Sequence, residues 1–312
     1  MRFSANLFVG ATFLVASSLY AQDSANPAIE QSRLFPRTIP PTSGNLSPDG
    51  IALPEGETTT SSDDSFGAQE MLKRDEKIPE FTLGASASLF YTSNVALTHV
   101  DQHSDAFFVG DAAFSWTPQI RPQLQFQFGG AASIFRYFDT SSLDFESLGV
   151  GTGFTWTPAN TWGLAFTVRY DFSELLDKHS DQILQDHEFS FAAQKIVVLG
   201  RSHSLNFGVL GSVGISDPFA EQRDQIGFAI GYHLQISRQL GADLGYRHSW
   251  YFYNASDRHD LNQVISLGLH YYIRPWASLN AYSSFATNYS NESAFKYDVF
   301  SGGGGVGLLI RF

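Results

Sequence analysis

Between residues 81 and 312 apolar side chains recur at every second position. One row runs Leu148, Val150, Thr152, Phe154, Trp156, a second Leu205, Phe207, Val209, Gly211, Val213, Ile215. A third runs Ile226, Phe228, Ile230, Tyr232, Leu234, Ile236, and a fourth Val306, Leu308, Ile310, Phe312. Successive strand residues point to opposite faces, so a period of two predicts strands with one apolar face. None of these positions is charged, and their opposite faces read Gly149, Gly151, Gly153, Thr155 or Asn206, Gly208, Leu210, Ser212, Gly214. A soluble antiparallel sheet would carry long charged side chains on its wet face, whereas this face is small and mostly neutral. Large apolar residues outward and small ones inward predict an all-β chain, a transmembrane antiparallel up-and-down β-barrel.

Twelve strands are predicted, near 81–93, 105–117, 122–137, 145–157, 161–173, 186–198, 203–216, 225–237, 240–254, 262–274, 277–289 and 299–312. Connections alternate short (118–121, 158–160, 200–202, 238–239, 275–276) and longer (95–104, 138–144, 174–185, 217–224, 255–261, 290–298). Pro118, Pro158, Pro218 and Pro275 fall in connections and Pro122 opens a strand, so none lies in a strand interior. An even strand count, short turns at one end and longer loops at the other are the bacterial outer-membrane pattern. Register is ambiguous where Lys195 and His248 fall on the apparent lipid face; a bulge near either would move it inward.

The 80 residues before the barrel region differ in character. Leu7 to Ala16 is almost wholly apolar and is followed by Ser17, Ser18, Leu19, Tyr20 and Ala21, which predicts a signal peptide over 1–21. The run is shorter than the roughly 20 apolar residues that span a bilayer. Residues 22–79 hold seven prolines and Ser/Thr clusters and read as a disordered periplasmic linker, with room for a periplasmic partner. Within it only 68–77 shows helical propensity, either a helix at the barrel mouth or no structure. The barrel is then 80–312 and the location the cell outer membrane, with lipid and lipopolysaccharide as surroundings.

Composition narrows function by exclusion. The 312 residues contain no cysteine, which removes disulfide scaffolds and thiol chemistry, and the net charge of −12 argues against a general nucleic-acid binder. Only 16% of residues are charged, where a soluble enzyme carries about a quarter. Trp116, Trp156, Trp162 and Trp276 lie beside the short turns, and Trp250 with many Phe and Tyr lies at the other strand ends, which predicts two aromatic girdles. Arg121, Arg201, Arg238 and Arg274 gather at the short-turn end. Acids including Asp101, Asp105, Asp139, Asp177, Glu221, Asp224, Asp257, Asp260 and Glu292 gather at the long-loop end as an outer rim. The last strand, Val306, Leu308, Ile310 and terminal Phe312 on one face, resembles the signal read by the barrel assembly machinery.

The predicted lumen carries Asp111, Arg169, Asp171, Glu188, His233, Asp243, Arg247, His270, Arg274 and Arg311. Arg169 and Asp171 are roughly 7 Å apart along one strand, with Glu188 placed beside them by the next. These charges either form a constriction that sorts solutes by charge or pair across a narrow barrel and stiffen it. No catalytic set is expected, because His248 and Ser249 are adjacent and must point to opposite faces. No cofactor or metal site is expected.

Phe81 to Val95, ending Tyr91-Thr92-Ser93-Asn94-Val95, is similar to the first strand of β-barrel porin families of Gram-negative bacteria, in which a Tyr-x-x-Asn-hydrophobic element recurs. The paired turns Trp116-Thr117-Pro118 and Trp156-Thr157-Pro158 and terminal Phe312 are similar too. That resemblance implies transport. The leading expectation is a channel for small hydrophilic solutes; since some relatives sit in exopolysaccharide operons, an export conduit for a surface polysaccharide is the alternative, and a non-conducting structural barrel a third.

Overall fold

The structure, a computed structural model, describes residues 27–34, 80–159, 161–200 and 202–312. The proposed signal peptide and the 68–77 segment lie outside the described residues. Residues 27–34 form a helix, α1. The strands are β1 (Phe81–Thr92), β2 (Asp105–Trp116), β3 (Gln119–Arg121), β4 (Leu124–Tyr137), β5 (Phe145–Trp156), β6 (Leu164–Asp177) and β7 (Gln182–Gly200). They continue as β8 (His203–Asp217), β9 (Arg223–Gln235), β10 (Leu240–Tyr253), β11 (His259–Arg274), β12 (Ala277–Ser290) and β13 (Tyr297–Arg311). Each pairs antiparallel with its sequence neighbour, β13 returns to β1, and β2 pairs β4 past the three-residue β3. Leaving aside β3, this is a closed barrel of twelve spanning strands.

Closure is made by β1 and β13. Their ladder runs from Thr82 opposite Arg311 to Thr92 opposite Ser301, and Phe81 and Phe312 exchange two backbone hydrogen bonds of 3.0 Å. The glycine run in β13 lets the two strands approach: a Cβ on Gly303 would run into the Leu89 carbonyl oxygen, and one on Gly305 into that of Ala87. Val306, Leu308, Ile310 and Phe312 all face outward from this seam.

The outward rows are as the periodicity predicts. Phe154, Val168, Phe207, Val209, Ile226 and Leu308 are among many large apolar side chains left exposed for lipid. Neither ambiguous residue is moved inward. The ladders of β10 are unbroken around His248, which stays outside, its ring 5.0 Å from Phe228 and 4.2 Å from Trp250, with Nδ1 3.2 Å from Tyr246 Oη. Lys195 stays outside near the short turns, its ammonium 5.5 Å from the Trp162 ring centroid, where a long side chain can carry its charge toward the interface. Register shifts sit at strand ends instead, at Leu175/Leu176, Val198/Gly200 and Tyr272/Arg274.

Three expectations change at the long-loop end. The connection placed at 174–185 is mostly strand: β6 runs to Asp177 and β7 begins at Gln182. The extension buries Leu175 and Leu184 on the lumen side, which repays lengthening the hairpin. The aromatic residues at this end do not form only a girdle. Trp250, Phe252, Tyr289 and Phe300 face out, but Phe107, Phe135, Tyr137, Phe145, Tyr251, Tyr253 and Tyr297 face in and are buried.

The third change is α1. The stretch read as linker without structure contains this helix, and its place is inside the barrel mouth. Ala28 and Ile29 join a core with Val95, Phe107, Phe135, Phe145, Leu175 and Leu184, and Leu34 joins Leu97, Val264, Ala286, Tyr297 and Val299 on the other side. Pro27 suits a first helical position. Eight residues are too few for a stable isolated helix, so the socket supplies the stability. Phe107, Phe145 and Leu175 are 0% exposed and Ile29 is 1%, which shows that the mouth is packed around α1 and is no open vestibule there.

The seam generates a prediction. Gly303→Val should cost about 1–3 kcal/mol by overpacking against β1, whereas Gly302→Ala, whose nearest neighbouring atom would lie 3.4 Å away, should be tolerated. The fraction of compact, heat-modifiable barrel on unheated gels measures this; equal fractions for both would refute the close-approach role.

Candidate functional site

The lumen has three levels, set by distance along the strands. Nearest the short turns, Asp243 on β10 stands between two histidines: His233 Nδ1 on β9 is hydrogen-bonded to Oδ1 at 2.7 Å, and His270 Nε2 on β11 lies 3.2 Å from Oδ2. His270 Nδ1 is 3.0 Å from Asn280 Oδ1 on β12, so one row of polar contacts crosses four neighbouring strands on the inner wall. His233, Asp243 and His270 were expected on the lumen face, and the structure brings them together. Arg274 and Arg311 stand exposed at the same end.

At mid-height lie Asp111, Arg169, Asp171, Glu188 and Arg247. Arg169 Nε donates to both Asp171 oxygens at 2.8 and 2.7 Å, and Glu188 is the direct cross-strand partner of Asp171. Gly151 on β5 faces this pair, and a Cβ there would collide with Asp171 Oδ1 and Arg169 Nη2. The glycine therefore lets the ion pair lie back against the wall, clear of the axis. Asp111 accepts from Ser86 Oγ at 2.9 Å. Arg169 Nη2 and Arg247 Nε are buried with no hydrogen-bond partner among the described residues. Neutral walls of Gly149, Gly151, Gly153 and Thr155 and of Asn206, Gly208 and Ser212 separate these charges.

At the long-loop end a polar network surrounds α1, and the sequence reading did not find it. Arg33 Nη1 lies 2.8 Å from Glu30 Oε1 and 3.3 Å from Glu221 Oε2. Tyr253 Oη donates to Glu30 Oε1 at 3.3 Å, and Arg258 Nη2 stands 4.0 Å from the same oxygen. Arg258 in turn grips Asp260 through Nε at 3.1 and 3.0 Å, with its guanidinium 3.4 Å from the Phe295 ring and 3.9 Å from that of Tyr253. Gln31 Nε2 donates to the carbonyls of Asn94 and Val95 at 3.4 and 3.1 Å. The Asn94 side chain bends the β1–β2 connection inward by bonding Thr98 twice, at 2.7 and 3.1 Å, and the Asp298 carbonyl at 3.0 Å. Asn94 and Val95 of the Tyr91…Asn94-Val95 element thus build the seat of α1, while Tyr91 faces outward.

Two acids assigned to a solvated rim are buried instead. Asp105 accepts the backbone N–H of Thr140 at 2.8 Å and of Asp139 at 3.2 Å, and Asp260 holds Arg258 and Asn288. A signal for this plugged end was present in strand ends apolar on both faces, such as Phe107-Phe108-Val109 and Trp250-Tyr251-Phe252-Tyr253. A wet mouth needs no such runs. His248 and Ser249 are on opposite faces, the first against lipid and the second inward, where Gln225 Nε2 donates to it at 3.1 Å. Among the described residues no group of three His, Cys, Asp or Glu could hold a metal ion.

Burial pushes the Glu30 carboxyl upward, but the guanidiniums of Arg33, Arg223 and Arg258 outweigh it and hold the group below the ordinary carboxylate value of 4.5. Burial works against the Arg33 charge, and Glu30 with Glu221 more than restores it, so Arg33 is held more firmly protonated than usual. A depressed carboxyl stabilises docking above its free value and loses that contribution as pH falls through the lowered one. Amide exchange of residues 27–34, corrected for intrinsic rates, should therefore accelerate between neutral pH and pH about 3. Glu30→Gln should remove most of that dependence; identical profiles would sink the assignment.

No family model matches the chain, and no curated protein does. Solved structures do. An outer-membrane channel from Pseudomonas putida F1 aligns with TM-score 0.54 at 10% identity, over 74% of this chain and 96% of that one. An anion-selective porin from Comamonas acidovorans aligns at 0.41 and 8% identity, over 74% and 98%. KdgM porin aligns at 0.40 and 6% identity, over 72% and 98%. The first likeness is one of fold, and with the closed lipid-faced barrel it makes this chain an outer-membrane β-barrel of porin-like architecture.

Proposed function

We propose that the barrel is a channel for small hydrophilic solutes, which pass a narrow lumen charged at mid-height. The observation that carries this reading is the wall itself. Between the His233–Asp243–His270 row and mid-height it presents glycine, serine, threonine and asparagine on β5 and β8, with Asp111, Arg169, Asp171, Glu188 and Arg247 contributed from four different strands. A barrel stabilised only by its lumen could be filled with apolar side chains, as this one is at its long-loop end. Twelve strands lie between the filled eight-strand case and the open sixteen-strand porins, and a glycine opposite the Arg169–Asp171 pair preserves width where width is scarce. Charges set in such a wall bias ion passage without closing it.

Purified full chain in planar bilayers should give discrete current steps. Neutralising the pair with Arg169→Gln and Asp171→Asn should shift the cation-to-anion permeability ratio about twofold or more, and Gly151→Leu should reduce the step size by pushing the pair toward the axis. Unchanged selectivity would remove the constriction from the account. Absence of current from the barrel, whether α1 is seated or not, would overturn the channel reading.

A further inference from the structure

The long-loop mouth of the barrel is packed, and α1 is the element at the centre of that packing. It makes no hydrogen bonds in the β-ladder, which closes on itself without it. Its hold consists of three apolar anchors (Ala28, Ile29, Leu34), the Gln31 bonds to Asn94 and Val95, and the ion cluster around Glu30 and Arg33. A permanent filler would be expected to be apolar. This one places a carboxylate, an amide and a guanidinium in a buried seat, where each depends on its partners and loss of one partner leaves another uncompensated. Forty-five residues, 35–79, join α1 at the long-loop end to Glu80 at the short-turn end, so leaving the seat breaks no strand and strains no short connection.

From these observations we propose that α1 is a removable stopper, and that Glu30, gripped by Tyr253, Arg33 and Arg258, is the latch that keeps it seated. The proposal rests on the channel reading and adds its gate. Two states follow. In the seated state the passage ends against Ile29 and the aromatic ring of Phe107, Phe135 and Phe145. In the released state the mouth loses its core, and Arg258, Glu221 and the tyrosines of β10 line an open vestibule.

Arg33 supplies a probe independent of current, because trypsin can cut after it only when α1 leaves its seat. In full-length wild type, cleavage after Arg33, read by mass of the released peptide, should be slow. Ile29→Asp places a charge in the apolar socket and should accelerate cleavage about tenfold or more, and Glu30→Gln should do so by a smaller factor. Both variants should keep the compact barrel on unheated gels, since no ladder bond is touched. In bilayers the same variants should spend a several-fold larger fraction of time in the conducting level. Wild type cut at Arg33 as fast as Ile29→Asp would overturn the latch. So would rapid cleavage in the variants with conductance equal to that of a conducting wild type. Rapid cleavage with no current from any of the proteins would overturn the channel reading instead, while leaving release of α1 established.

Discussion

In hydrocarbon an unpaired backbone amide or carbonyl costs several kcal/mol, and a sheet can avoid that cost only by having no edge. Everything else in this protein follows from meeting that condition with twelve strands. The seam between β1 and β13 is where the condition is hardest to meet, because the two strands come from opposite ends of the barrel sequence. Gly303 and Gly305 let the backbones draw together there, and Phe81 and Phe312 complete the ladder. Once the cylinder is closed, the pleat divides every strand between lipid and lumen, and the tolerance for charge on each face is decided.

Closure also creates an interior that must be either wet or filled, and this barrel is both. Toward the short turns, small side chains leave space and buried polar groups are tied along the wall, as in the chain from His233 through Asp243 and His270 to Asn280. Toward the long loops, aromatic side chains line the wall, with Phe135 stacked on Phe145 at 4.3 Å, and α1 packs against them together with Val95 and Leu97. The same helix carries Glu30 and Arg33 into a setting where each needs a partner. Tyr253 and Arg258 from the β10–β11 hairpin and Glu221 from the β8–β9 connection provide them. Filling by a tethered segment differs physically from filling by strand side chains, because the first can be undone without loss of the fold.

Periodicity made the barrel legible. The alternation of Leu148, Val150, Phe154 and Trp156 with Gly149, Gly151 and Gly153 states which side meets lipid, and the register keeps even His248 and Lys195 on the face that alternation assigns. The mid-height charges were legible for the same reason, since facing is a matter of parity along a strand. Where both faces are apolar, parity carries no information, and it does not tell the outward Trp250 and Phe252 from the buried Tyr251 and Tyr253 beside them.

What the sequence determined by itself was local in kind: strand positions, their two faces, the confinement of proline to connections and the lumen location of Arg169, Asp171, His233, Asp243 and His270. What only the tertiary structure decided was which residues distant along the chain share a space. Nothing in the spacing of Glu30 to Tyr253, 223 positions apart, marks them as partners. An eight-residue helix in a proline-rich stretch has too little intrinsic stability to announce itself, and it exists because a socket assembled from eight strands and two loops is there to receive it.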